Sequence, residues 1–351
     1  MLSEIRLKNF RSYADYSFEF DPGVNIIVGP NASGKTNLLE AILVVACGTS
    51  YRAKDTELVQ FNKPWSRLDA RLNDNSTRTV KLTPQDHPAK SYELSGKSYT
   101  RMTFNHSLPV VLFEPNHLQL IAGRPEQRRN YLDDLLEQTT TGYGKLRRDY
   151  KRVVAQRNAL LKHSGYDPGQ LFPWDVRLSE LAGQIVRKRL ELVKQIDAEL
   201  PKLYKELSKS KTKVSLKYSY DEDVDNYESQ LLKKLISSTE FDRVRGFTSY
   251  GPHRDDLLIF FNSHQAQEMA SRGETRTIVL GLKIIEMKII AKVRGINPIL
   301  LLDDVFSELD GARRRALTEH LSKYQCFITT TDADIVLHHF TDKCLLIPLN
   351  K

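Results

Sequence analysis

Cysteine, tryptophan and methionine are scarce in this chain of 351 residues, at three, two and four respectively. Cys47, Cys326 and Cys344 sit inside apolar runs at no metal-like spacing. That pattern argues against a disulfide framework or a zinc site and for buried, reduced thiols. No stretch approaches the roughly 20 apolar residues that cross a bilayer. The opening MLSEIRLKNF lacks the apolar core of a secretion signal. Internal repeats and low-complexity tracts are missing too. These absences lead to the expectation of a cytoplasmic protein with no membrane partner. A core, by contrast, is well supplied. Apolar residues make up 40% of the chain, too many for a disordered protein, and the length suits one large or two ordinary domains.

Negative charge is in the minority. Asp and Glu number 44 against 52 Lys and Arg, a net of +8, which favours a polyanionic partner such as nucleic acid. Mild basicity is common, so its distribution says more. Residues 124–163 carry ten basic and five acidic side chains, and residues 176–213 again ten and five. The acidic run Asp221–Glu228 offsets part of this. The excess therefore lies mid-chain, away from any nucleotide motif.

The first 115 residues read mostly as strands. Residues 5–7, 18–20 and 68–72 alternate, whereas 24–28 and 110–113 are apolar runs fit for buried strands. Residues 92–94 and 98–100 flank a turn at Ser95-Gly96-Lys97, which suggests a hairpin. One helix should run from Gly34 to Gly48. The middle is helical: Leu146, Tyr150, Val153, Arg157, Leu160 and Leu161 keep a three-to-four spacing, and so do the leucines and isoleucines from Leu178 to Leu207. Residues 164–173, with two glycines and two prolines, should be the turn between these helices. Pro201 should break or kink the second. The last third returns to α/β, with strands at 214–220, 299–302, 326–330 and 345–347 and helices at 273–293 and 312–321.

Gly29-Pro30-Asn31-Ala32-Ser33-Gly34-Lys35-Thr36 matches G-x-x-x-x-G-K-[ST] in full, between a strand and a helix. The glycines let backbone N–H groups curl toward phosphate oxygens, and the helix N-terminus adds positive potential. Lys35 should bridge the β- and γ-phosphates and Thr36 should hold Mg²⁺. Ile299-Leu300-Leu301-Leu302-Asp303-Asp304 is an apolar strand ending in two carboxylates, which packing alone explains poorly. Beside a P-loop, Asp303 fits the carboxylate that reaches Mg²⁺ through water. Asp304 fits a general base or water-positioning group, or else a helix cap. Ser271-Arg272-Gly273-Glu274 is a capping box at a helix start. The same geometry suits a γ-phosphate contact, and the two roles are compatible.

In this order the motifs resemble the split ATP-binding head of the ABC/SMC class, with Ser307-Glu308-Leu309-Asp310 placed like its D-loop. More narrowly, the chain resembles the RecF family of bacterial recombination mediators. Residues 5–13, 29–37, 128–133, 250–256, 270–276 and 303–310 carry that resemblance. It implies an α/β P-loop ATPase head of the ABC/SMC type with an inserted helical arm. Residues 1–115 would form the N-terminal half of the head, 116–240 the arm, and 241–351 the C-terminal half with the signature helix and the Walker B strand. It also implies ATP and Mg²⁺, and a homodimer with ATP between two heads. Ser271 and Gly273 would then meet the γ-phosphate held at the other copy's Lys35. Double-stranded and gapped DNA, RecR with RecO, and indirectly RecA and single-strand-binding protein are the implied partners.

Site residues follow from the same resemblance. Gly29, Pro30, Asn31, Ala32, Ser33, Gly34, Lys35, Thr36 and Asn37 would cradle the nucleotide, with Arg11 and Ser12 near its base. Glu114 falls where related heads place a glutamine that senses Mg²⁺, joining Thr36 and Asp303. Lys35, Asp304 and Ser271 would be catalytic. Arg128 and Arg129, which belong to a family motif, and Arg148 and Arg152, read from the basic helical stretch, would contact DNA. Arg147, Lys151, Arg187, Lys188 and Arg189 are further candidates, although charge runs on helices are most often a solvated face. His253 reads as a structural hydrogen-bonder, and Trp65 and Trp174 as core or loop anchors.

Transporter-type heads have Glu where Asp304 stands and a His after the next strand, where this chain has Thr329-Thr330-Thr331-Asp332. The shorter Asp implies slow, DNA-stimulated hydrolysis. A transporter ATPase subunit is an alternative, opposed by the basic arm, the N-terminal strands and the missing His. An SMC-like nuclease is another, opposed by the lack of a second carboxylate cluster.

Overall fold

The helix Lys35–Cys47 has no wet face: every residue from Leu38 to Ala46 is buried. A helix apolar on all sides must be covered on all sides, and two sheets cover this one. In the computed structural model, residues 1–85, 89–163, 168–220, 224–338, 340 and 344–349 are described. The chain forms two units, Met1–His117 with Glu286–Lys351, and Leu118–Ile285.

The first unit holds both sheets. One is antiparallel, in the order Tyr13–Glu19, Leu2–Phe10, Ser66–Leu72, Thr77–Leu82, Lys90–Leu94, Lys97–Tyr99. Its strands alternate as half-buried strands should, so that Ser66, Leu68, Ala70 and Leu72 face inward. The other is parallel, in the order Cys344–Pro348, Val24–Val28, Cys326–Thr330, Ile299–Asp303, Val110–Phe113. Its central strands are near-continuous apolar runs because both faces are covered; Ile26, Ile27, Leu300, Leu301, Leu302, Phe327 and Ile328 have no exposed surface. Ile5, Leu7, Leu38, Ile42, Leu301 and Phe327 share one core across these layers. The hairpin expected around Ser95-Gly96 is present, with Ser95 and Gly96 at φ 46° and 81°.

The second unit is mostly helical: Pro125–Thr139, Tyr143–Leu161, Pro168–Ser208, Tyr227–Ser237 and Thr239–Arg245. A small antiparallel sheet, Val214–Tyr218, Leu257–Phe261 and His264–Gln265, packs on the long helix. That sheet draws residues 241–285 into the unit. Pro201 does not end its helix. It sits on the exposed face, while Leu200, Leu203 and Tyr204 of the same turns are buried and fix the helix in the core. The turn expected over 164–173 is shorter than its composition suggests, since the helix already begins at Pro168 and Pro173 lies inside it. Residues 164–167, like Asp221–Asp223 of the acidic run, lie outside the described residues. Trp65 is 40% exposed and so is no core anchor.

Buried charge holds this unit together. Arg157, on the apolar stripe of its helix, is fully buried. It donates to Asp175 at 2.6 Å, Asp242 at 2.7 Å and Thr248 at 3.1 Å. Arg189 donates to both oxygens of Asp133, to Tyr218 Oη and to the Pro252 carbonyl. His253 lies between Tyr150 Oη, 2.6 Å from Nδ1, and the Thr248 carbonyl, 3.1 Å from Nε2. Desolvation by burial holds this imidazole down at about 4, against partial support from the Thr248 carbonyl.

Two outcomes follow. Arg157→Ala leaves two buried aspartates without their cation and should cost about 3–5 kcal/mol, read as a lower urea midpoint. His253 binds fewer protons folded than unfolded between its ordinary value and about 4. Its contribution is therefore complete above the unfolded value and is lost as pH falls through that window, by up to about 3 kcal/mol. Thermal melts from pH 7 to 4 should drop less steeply for His253→Gln.

Candidate nucleotide site

Because the strands Val24–Val28, Ile299–Asp303 and Cys326–Thr330 are parallel, their C-terminal ends open on the same side, where ligands of α/β sheets bind. The loop Gly29–Gly34 leaves the first of these ends. Gly34 caps the following helix at φ 102°, a left-handed conformation that costs glycine little. A Cβ there would meet Tyr13 Oη at 2.9 Å, and that hydroxyl donates to the Gly34 carbonyl at 3.0 Å. The Lys35 ammonium donates to the carbonyls of Gly29 at 2.7 Å and Pro30 at 2.9 Å. Burial lowers its proton affinity, with Asp304 and Asp303 opposing.

Asp303 is held by hydroxyls. Its Oδ1 accepts from Thr36 Oγ1 at 3.0 Å and from Thr329 Oγ1 at 2.8 Å, and its Oδ2 from Tyr51 Oη at 3.4 Å. Thr329 also accepts the Asp304 N–H at 2.9 Å, so one strand hydroxyl holds the Asp303 carboxylate and the Asp304 backbone together. Asp304 stands at φ 52° and accepts Ser307 Oγ at 2.5 Å. Asp310 caps the helix Gly311–Leu321 through the Arg313 N–H. Magnesium takes hard oxygen ligands, few of them from protein, and keeps several waters. The Thr36 hydroxyl and Asp303 carboxylate are such a pair, so the residues fit the ion. Glu114 follows the strand Val110–Phe113 in the same unit, and its N–H donates to His117 Nδ1 at 3.0 Å. Among the described residues no further group of acidic, His or Cys side chains is arranged for a metal.

Sequence reasoning missed the brace behind the loop. Glu40, on the P-loop helix, is fully buried. It accepts from Arg11 at 2.8 and 2.9 Å, Arg52 at 3.0 Å and Ser50 at 2.6 Å. Burial pushes its carboxyl up, but the hydrogen bonds from Arg11, Arg52 and Ser50 outweigh that and leave it below its ordinary value. Arg52 also donates to Asn37 Oδ1 at 2.6 Å, and Asn37 donates to Ser12 Oγ at 3.0 Å. A lone carboxylate inside Asn37-Leu38-Leu39-Glu40-Ala41-Ile42 was the available signal. Arg11, Ser12 and Asn37 edge an open hollow of about 650 Å³ beside the loop, together with Glu57, Phe61 and Lys63.

Ser271 and Gly273 lie in the second unit, at the start of the helix Arg272–Arg294. The capping box is formed: the Ser271 N–H donates to Glu274 Oε2 at 2.8 Å and the Glu274 N–H to Ser271 Oγ at 3.3 Å. Ser271 is exposed. Arg128 requires a correction. It is 7% exposed and gives two 2.8 Å bonds to Asp256, so its guanidinium is engaged inside the unit rather than offered to phosphate. Arg129 is half-buried and donates to the Asp255 carbonyl. Arg189 is buried against Asp133 and Arg147 is engaged by Asp134 and Glu137. Arg148, Lys151 and Arg152 are exposed.

A P-loop, a carboxylate-bearing parallel strand and a Ser-x-Gly helix start define an ATPase head of the ABC/SMC class. The model of the RecF/RecN/SMC N terminal domain matches residues 1–347. The chain belongs to this family, and within it to the RecF proteins. DNA replication and repair protein RecF of Heliobacterium modesticaldum is 35% identical, over 98% of this chain and 95% of that protein. The RecF of Halalkalibacterium halodurans is 34% identical, over 96% and 94%. Among solved structures, the recombination mediator protein RecF-ATP in the RecFOR pathway superposes with a TM-score of 0.87 at 30% identity, covering 99% of this chain and 95% of that one. An Smc head bound to the C-winged helix domain of ScpA, at a TM-score of 0.57 and 18% identity, shares the fold.

Glu40→Gln keeps the size of the side chain but removes the anion that two guanidiniums share. It should lower stability by about 2–3 kcal/mol, seen as a reduced urea midpoint. Arg11→Ala, which leaves Arg52 in place, should cost less.

Proposed function

We propose that the chain binds ATP with Mg²⁺ at Gly29–Asn37 and uses it to control association with DNA in recombinational repair. The contact between Thr36 and Asp303 at 3.0 Å, beside the Lys35 ammonium, is the observation that carries this reading. It joins a P-loop hydroxyl to a strand-end carboxylate, as a Mg²⁺–phosphate site requires. Lys35 exchanges its carbonyl partners for β- and γ-phosphate oxygens. Arg11, Ser12 and Asn37 direct the nucleoside toward the hollow they edge. When bound, Mg²⁺ neutralises charge developing on the phosphate oxygens. Asp304 orients or deprotonates the attacking water, with Glu114 near the metal ligands.

Ser271 and Gly273 act on the nucleotide of a second copy. The exposed Ser271 and the N-terminal N–H groups of its helix then cap the γ-phosphate, so that ATP favours a dimer and hydrolysis ends it. Asp304 is shorter than Glu, which supports slow hydrolysis suited to a timed clamp on double-stranded or gapped DNA. Arg148 and Arg152 are its exposed cations, and the half-buried Arg129 on the preceding helix adds a third. RecR with RecO, and through them RecA and single-strand-binding protein, are the partners the family implies.

Lys35→Arg and Ser271→Arg should each abolish dimerisation driven by ATP while the monomer stays folded. Analytical ultracentrifugation with and without ATP reads this directly; dimers of either variant at wild-type level contradict the proposal. DNA titration in the same buffers should show tighter binding with ATP in the wild type and no ATP effect in the variants.

A further inference from the structure

Residues 207–220 hold four lysines and no acid, and the facing strand and turn, residues 257–267, hold no acid either. Few parts of this chain are so one-sided. The loop that carries the lysines is ordered by its own hydroxyls. Ser208 Oγ accepts the Ser210 N–H at 3.1 Å, Ser210 Oγ accepts the Thr212 N–H at 3.2 Å, and Ser210 Oγ lies 2.8 Å from Thr212 Oγ1. Asn262 ties the loop to the hairpin turn. Its Oδ1 accepts the Lys213 N–H at 3.1 Å and its own N–H donates to the Lys213 carbonyl at 2.9 Å.

Hydroxyl side chains thus face inward at half burial, and Lys209, Lys211 and Lys213 between them are exposed. The alternation continues into the strand, where Val214, Leu216 and Tyr218 are buried and Ser215 and Lys217 are exposed. Same-side positions of the strand are about 7 Å apart, whereas Lys209 stands at φ 53° where the chain leaves the long helix. Among the described residues, Lys209, Lys211 and Lys213 make no ion pair, unlike the exposed Arg6, Arg177 and Arg243, each set against a carboxylate.

We propose that Lys209, Lys211 and Lys213 form a comb that grips the phosphate backbone of nucleic acid. Lysine offers a point charge without planar or apolar recognition, which suits phosphates and not base edges. Neighbouring ammonium groups that make no ion pair repel one another, and a polyanion relieves that repulsion while releasing its counterions; a carboxylate bonded to this segment, Asp197, is taken up by the Leu216 N–H. The comb rests on the reading of the chain as a DNA-binding protein and adds to Arg148 and Arg152 a second contact surface, in the small sheet.

The test compares full-length wild type, a Lys209→Ala/Lys211→Ala/Lys213→Ala variant and an Arg6→Ala/Arg177→Ala/Arg243→Ala control that loses the same charge. Affinity for a mixed-sequence duplex is measured over a range of salt, after circular dichroism melts show all three folded alike. Each lost phosphate contact lowers the log–log salt slope by about 0.9. The comb variant should therefore lose about 2.7 in slope, and the control should keep the wild-type slope. An unchanged slope in the comb variant, or an equal loss in both variants, overturns the comb. Absence of DNA binding by the wild type even at low salt refutes the DNA-binding reading itself.

Discussion

Covering the helix Lys35–Cys47 on every side is the constraint on which the first unit depends. A parallel sheet alone would cover one side of it. The antiparallel sheet built from residues 2–99 covers the rest, and the two sheets share one core through Leu38, Ile42 and Val44. The enclosed helix cannot shift, so its N-terminus holds Lys35 and Thr36 at fixed places beside the ends of the parallel strands. Thr36 meets Asp303 there, and Thr329 braces the same carboxylate. Placing functional side chains on rigid elements gives them their precision.

Enclosure carries one cost, the fully buried Glu40 within the helix. A buried carboxylate needs partners, and it has them in Arg11, Arg52 and Ser50. The arrangement connects the loop after the first strand, the segment after the P-loop helix and, through Asn37, the first turn of that helix. Charge serves the second unit in the same way. Its motif residues 128–133 and 250–256 are brought together by Arg128 with Asp256 and by Arg189, which joins Asp133 to the Pro252 carbonyl. These residues carried the family resemblance, and their work is to lock helix to loop. That is why Arg128, basic and part of a motif, does not face solvent.

Local pattern was readable wherever a segment's neighbours were implied by its own period. The buried parallel strands, the P-loop helix, the long arm helices and the hairpin at Ser95-Gly96 all belong to this kind. So does the capping box at Ser271, which needs only residues three apart in the chain. Reading failed where packing overruled a local signal. Pro201 would break an isolated helix, but its flanking Leu200 and Leu203 are buried and its own side is wet. The basic stretches were visible as charge counts. Their division into paired, buried arginines such as Arg157 and Arg189 and exposed ones such as Arg148 was not, because a count carries no partner.

The sequence by itself determined the chemistry of the nucleotide loop and its carboxylate strand, because both follow from short contiguous motifs whose backbone geometry is local. It also determined the family, since those motifs recur in one order along the whole chain. Only the tertiary structure decided which charges are free. Asp303 meets Thr36 across 267 positions of chain, and Arg128 meets Asp256 across 128. Such pairings arise when burial forces a charge to find a hydrogen-bond donor or an opposite charge, and no local pattern specifies which partner lies within reach.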